Sequence, residues 1–195
     1  MDGESRVPAH SYIFLGMKAS FLVALLAAIA LATFFFITRS EPQEVGDFGT
    51  CAAAGNRILE SYPRQCVAND GQRFVEDVGN SAEKTNLIRL DAPRPNEEVA
   101  SPITLTGAAR GYWFFEASFP IAVVDWDGKI IGEGFATAQS EWMTGDFVPF
   151  TATITFRAEE ISGQYARHGA LILKRDNPSG LPENDDALEV PVRFR

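Results

Sequence analysis

Two hydropathy patterns divide the chain. An unbroken apolar run extends from Ala19 to Thr38, and short segments that alternate apolar with polar or small residues begin at Leu87. Alternation is the period of a strand, whose side chains point to opposite faces in turn. Leu87–Leu90, Ile103–Gly107, Phe150–Phe156, Gly169–Lys174 and Leu188–Phe194 follow it, and two further strands flank Asp127-Gly128. That dipeptide suits a two-residue type I′ turn, which needs positive φ at both positions. Such a turn sets Trp126 opposite Lys129, Val124 opposite Ile131, Val123 opposite Gly132, Ile121 opposite Gly134 and Phe119 opposite Ala136. Phe119, Ile121 and Val123 then share one face, each across from a small residue that leaves room for a second layer. Seven strands with no helical period between them predict an all-β fold, an antiparallel β-sandwich over residues 87–195. Pro191 cannot donate to a ladder, so the last strand is expected at an edge or paired irregularly there.

The rest of the chain reads as appendages to that sandwich. Residues 1–18 are expected to be a cytoplasmic N-terminus. Residues 19–38 carry no charge and as a helix reach ~30 Å, the hydrocarbon thickness of a bilayer. The apolar run continues through Phe34, Phe35 and Phe36, past the small-x-small site at Ala30-Leu31-Ala32 where a cleaved signal would end. An uncleaved, separate N-terminal transmembrane helix is therefore expected. It makes the protein single-pass in the cell membrane, with its C-terminal part extracytoplasmic. Residues 39–49 read as a spacer, 50–77 as a small segment with both cysteines, and 78–86 as a polar linker. Cys51 and Cys66 lie 15 positions apart outside the anchor, and one disulfide between them is the simplest reading.

Charge and chemistry narrow the function. The net charge of −9 falls beyond the apolar run, because Asp2, Glu4, Arg6 and Lys18 cancel. An acidic chain with dispersed Lys and Arg argues against nucleic-acid binding. Two cysteines and two histidines are too few for a four-ligand structural zinc site, and no cofactor is expected. His168 reads as an exposed loop histidine. No Ser, Cys or His stands with a base and an orienting acid, so the chain is not read as an enzyme. Asp176, Glu183, Asp185 and Asp186 offer hard oxygens that could hold calcium, although their spacing fits no EF-hand, and a solvated acidic turn is the simpler reading. In Tyr112-Trp113-Phe114-Phe115, alternation sends Phe115 inward with Phe119. Tyr112, Phe114 and Trp126 are left as a possible contact patch.

The ordered pieces resemble the bacterial spore-germination immunoglobulin-like domain family. They are Ser101-Pro102-Ile103, Thr106–Gly111, Trp113–Glu116, Asp125–Gly128, Gly134–Ala136, Phe150–Phe156, Asp176–Gly180 and Val190–Val192, spread over residues 87–195. The resemblance implies an immunoglobulin-like sandwich in an extracytoplasmic setting, with a non-enzymatic binding or structural role at the bacterial cell envelope. The partner, an envelope protein or polymer, is not named by it. Cys66-Val-Ala-Asn-Asp-Gly-Gln-Arg-Phe74 resembles a segment of Kazal-type protease inhibitors, which carry six cysteines where this chain has two. An inhibitor-like or other ligand-binding role of the Cys51–Cys66 loop is the alternative function.

Overall fold

Eight strands form one continuous ladder that folds back on itself as two layers. The computed structural model describes residues 44–157 and 167–195, of which 45–195 form one compact unit. The expected cytoplasmic N-terminus and transmembrane helix lie outside the described residues. Among the described residues no helix is long and apolar enough to cross a membrane.

The chain first forms helix α1 (Phe48–Ala53) and a three-stranded antiparallel sheet of β1 (Arg57–Leu59), β2 (Gln65–Val67) and β3 (Arg73–Val75). The disulfide between Cys51 and Cys66 ties α1 to β2, and both cysteines are fully buried. The stretch expected as a linker contains helix α2 (Ser81–Lys84). The sandwich follows with β4 (Ile88–Ala92), β5 (Glu98–Val99), β6 (Ile103–Arg110), β7 (Ser118–Asp125), β8 (Ile130–Ala138), β9 (Phe147–Ile154), β10 (His168–Lys174) and β11 (Ala187–Phe194). Their order across the ladder is β4-β6-β9-β8-β7-β10-β11-β5. All seven expected strands are present. The eighth, β5, lies among the prolines of the loop after β4 and is too short for its alternation to be visible.

The fold-over lies between β8 and β9. Only Thr137 and Ala138 of β8 pair with β9, opposite Thr151 and Phe150. Farther along, β8 presses on the end of β9 so closely that a Cβ on Gly132 would lie 2.6 Å from that of Phe156, and one on Gly134 would lie 2.4 Å from Ile154 Cδ1. The small residues that the alternation pattern singled out in β8 therefore make room for β9. Between the layers Phe119 of β7 meets Phe150 of β9 edge-on at 5.0 Å, and Phe156 lies 5.2 Å from Phe194 of β11. Leu105, Ile121, Val123, Leu171, Leu188 and Val190 complete the centre of this core.

The central hairpin keeps its expected register over most of its length. Phe119 pairs with Ala136, Ile121 with Gly134 and Val123 with Gly132. Near the turn the expectation fails. Asp125 rather than Trp126 closes the loop, by bonds from its N–H to the Lys129 carbonyl and from Gly128 N–H to its own carbonyl. The Asp125 carboxylate also accepts from the N–H groups of Asp127 and Lys129, both at 2.9 Å. Only Gly128 in this loop has positive φ, 80°, so the turn is a three-residue loop with a glycine bulge rather than type I′. The extra residue is absorbed at Ile131. Val124 pairs with Ile130, and Ile131 turns into the core while Ile130 is exposed. A two-residue turn with positive φ at both positions occurs instead at Glu116-Ala117, whose φ values are 48° and 62°.

Candidate functional site

The stretch after the cysteine-containing segment closes the open side of the sandwich, between the edges of its two layers. Val78 is buried, and Asn80 brackets β11 by donating to the Ala187 carbonyl and accepting from Glu189 N–H. Lys84 of α2 pairs with Asp186. Asn96 N–H bonds the Pro191 carbonyl, while Arg193 N–H bonds the Glu97 carbonyl. The N–H groups of Glu189 and Arg193 thus point away from β10. Pro191, alternating with them, places its missing donor on this outer edge as the sequence suggested.

A cleft of about 490 Å³ opens where these parts meet. Ile88, Leu188 and Val190, each 1% exposed, reach it from the core, and Leu90 stands beside them. Tyr62 lines the cleft from the β1–β2 loop, and Arg89, Asp91 and Arg94 bring charge to it. One wall is a partly buried ion pair between Arg64 and Glu76. Arg64 donates from Nε to Glu76 Oε2 at 2.9 Å and from Nη2 to Oε1 at 2.5 Å, while Glu76 is only 6% exposed. The two-pronged pairing compensates the burial of the carboxylate, and the bond to Glu76 raises the Arg64 pKa above its ordinary value. Arg64 also stacks over the Phe48 ring at 5.2 Å, which fastens α1 to the pair. Sequence reasoning passed over this pair because Arg64 and Glu76 are 12 residues apart and meet only through the β2–β3 ladder.

The cleft lies along strand β4, which is an edge. Among the described residues its one partner in the ladder is β6, where Ile88 pairs with Ala109 and Arg89 with Ala108. Antiparallel bonding uses alternate residues, and Leu87 already accepts from Arg110 N–H. Arg89 therefore continues the bonding toward β6, while the main-chain groups of Leu90 face the outer edge and those of Ile88, 1% exposed, are covered. A cleft beside the outer edge of a strand can take an extended chain.

The residues singled out from the sequence do not assemble into one site. Tyr112 and Trp126 are exposed, but they lie at opposite ends of the eight-residue β7, roughly 26 Å apart along a strand. Phe114 is buried at 4% exposure against Phe119, and Phe115 is exposed, the reverse of the alternation reading. The cause is the tight turn at Glu116-Ala117, which reverses the chain and sets Phe115 opposite Ser118, so that Phe114 and not Phe115 shares the side of Phe119. In the acidic loop, Asp185 accepts from Asn177 Nδ2, and Asp186 is engaged by Lys84 and by Ala187 N–H. Among the described residues no group of three His, Cys, Asp or Glu side chains is placed to hold a metal ion. His168 is exposed as expected, but it opens β10 rather than lying in a loop.

The sandwich topology and the motifs along it converge on one comparison. Residues 87–167 match the immunoglobulin-like domain of bacterial spore germination. The matched span runs from β4 through β9, and β10 and β11 complete the ladder beyond it. The immunoglobulin-like match suggests a non-enzymatic role. No curated protein and no solved structure matches the chain.

Proposed function

We propose that this protein is a membrane-anchored, extracytoplasmic binding module of the bacterial cell envelope, without enzymatic activity. Residues 19–38 hold it in the membrane, and an extended segment of an envelope protein lies along β4. One observation carries this reading: the outer edge of β4 borders a cleft whose floor is sandwich core. Main-chain pairing supplies affinity in such a groove, and the spaces for alternate side chains supply selectivity. The bilayer length of the apolar run supports the anchor, and the Cys51–Cys66 disulfide suits an oxidising compartment.

Two measurements test the reading. A reporter that works only when exported, fused after Arg195, is expected to be active. Activity of a cytoplasm-dependent reporter at the same place rejects the topology. As bait for envelope fractions, the full chain is expected to retain a protein that the Tyr62→Ala/Arg94→Ala variant loses. Equal retention by both baits removes the cleft from the function.

A further inference from the structure

The outer face of the five-stranded layer carries a second concavity that shares no lining residue with the cleft along β4. It is a trough of about 570 Å³ over β7, β10 and β11. Its floor follows from register: Val124 pairs with Ala170, and Ala170 pairs with Pro191. Their neighbours Val123, Leu171, Val190 and Val192 point into the core, so these three side chains point outward together, with Ala170 only 9% exposed between the other two. They form a flat apolar row roughly 10 Å across, two inter-strand spacings. Trp126, 45% exposed on the hairpin loop, stands at one end of it.

The rim is polar and rich in acceptors. Asp77 and Glu189 contribute carboxylates, and one Asp77 oxygen takes Gly79 N–H while the other remains for a ligand. Asn96 commits its amide nitrogen to the Asp77 carbonyl, which leaves its side-chain oxygen as an acceptor. Among the described residues no lysine or arginine lines the trough, and His168 is its one basic side chain.

A flat apolar floor, an exposed indole and a ring of acceptors suit one kind of ligand. A pyranose ring presents C–H groups on its face and hydroxyl donors around its edge. The face can cover Val124, Ala170 and Pro191 or stack on Trp126, and the hydroxyls can donate to Asp77, Asn96 and Glu189. Carboxylates without an opposing lysine or arginine disfavour anionic polymers, so the sugar is uncharged. The geometry points to a binding site for an uncharged polysaccharide on the outer face of β7, β10 and β11. With a protein segment on β4, such a site lets one module bridge an envelope protein and a glycan.

Tryptophan fluorescence of the purified full chain tests this directly. Trp113 is fully buried and Trp142 is partly buried against the core, so Trp126 is the ring placed to report a ligand in the trough. Titration with cellohexaose or chitohexaose is expected to give a saturable blue shift, with retention of the protein on the matching insoluble polymer. Polygalacturonate is expected to give neither. Trp126→Ala is expected to abolish the shift and weaken retention about tenfold. Glu189→Gln keeps the indole and is expected to weaken binding several-fold while the shift persists at saturation. Absence of both shift and retention with either uncharged sugar overturns the assignment, as does undiminished retention of the Trp126→Ala variant. If Trp126→Ala instead removes a captured envelope protein while no sugar binds, the face belongs to a protein and the assignment is equally overturned. Because Tyr62 and Arg94 lie outside the trough, failure here is separable from failure of the β4 cleft.

Discussion

At the residue scale, the decisive side chains are those whose direction is set by a strand or broken by a turn. Phe119 is fully buried between Phe114, at 5.2 Å, and Phe150, at 5.0 Å. Truncation to alanine empties a site contacted from both layers and is expected to cost about 3–5 kcal/mol, read as a lower denaturant midpoint. Gly128 poses a different problem. A Cβ there meets nothing within 4 Å, but the φ of 80° strains any β-branched residue. Gly128→Val is expected to cost about 1–3 kcal/mol through the backbone alone. Gly128→Ala should recover part of the loss if strain, rather than crowding, is the cause. Phe119 was legible in the sequence because eight residues of strand keep one period. Phe114 and Phe115 were not, because the tight turn at Glu116-Ala117 reverses the chain between them and Phe119, and nothing in an aromatic run marks that reversal.

At the scale of elements, short pieces depend on caps and cross-links that local patterns only partly show. Helix α1 has six residues and is held by a capping box, in which Thr50 N–H donates to Asp47 Oδ1 at 2.6 Å and Asp47 N–H donates to Thr50 Oγ1 at 3.0 Å. The backbone bond from Thr50, followed by its hydroxyl bond, holds the Asp47 pKa below its ordinary value. A carboxylate with a depressed folded pKa adds stability above its unfolded pKa, and that stability disappears as pH falls through the folded value. Asp47→Ala is therefore expected to lower the melting temperature at neutral pH, by an amount corresponding to about 0.5–1 kcal/mol for so exposed a cap. The difference from wild type should vanish well below about pH 4. A gap that persists at low pH assigns the effect to helix propensity instead. The hairpin gives the matching lesson on legibility. Its distant register was readable from Phe119, Ile121 and Val123 facing Ala136, Gly134 and Gly132. The turn was not, because the Asp125 carboxylate captures two amides of the loop and moves the closing pair back by one residue.

At the scale of the whole molecule, the alternating segments do not account for every surface they bury. They supply both layers and the core of residues 87–195, so that span contains a sandwich's apolar faces. Yet the outer edge of β11 is bonded to Asn80, Asn96 and Glu97, and the open side of the sandwich is covered from residues 78–86. Polar composition made 78–86 read as a linker, because a hydrogen-bonded edge cover needs few apolar residues and leaves no periodic trace. Deleting residues up to Asn86 removes the three Asn80 bonds to Ala187 and Glu189, the Lys84–Asp186 pair and the buried Val78 while leaving every strand of the ladder. At ~1 kcal/mol for each hydrogen bond and ~1.5 kcal/mol for the valine, the loss is expected to be about 4–5 kcal/mol. Denaturant unfolding of residues 45–195, 78–195 and 87–195 measures it. The first two are expected to unfold at similar midpoints if the disulfide-linked segment is a passenger on the sandwich. The third is expected to fold with a clearly lower midpoint. Equal midpoints for 78–195 and 87–195 would show that the cover is energetically idle. If 78–195 also falls far below 45–195, the stapled segment and its Arg64–Glu76 wall are part of what holds the open side of the sandwich closed.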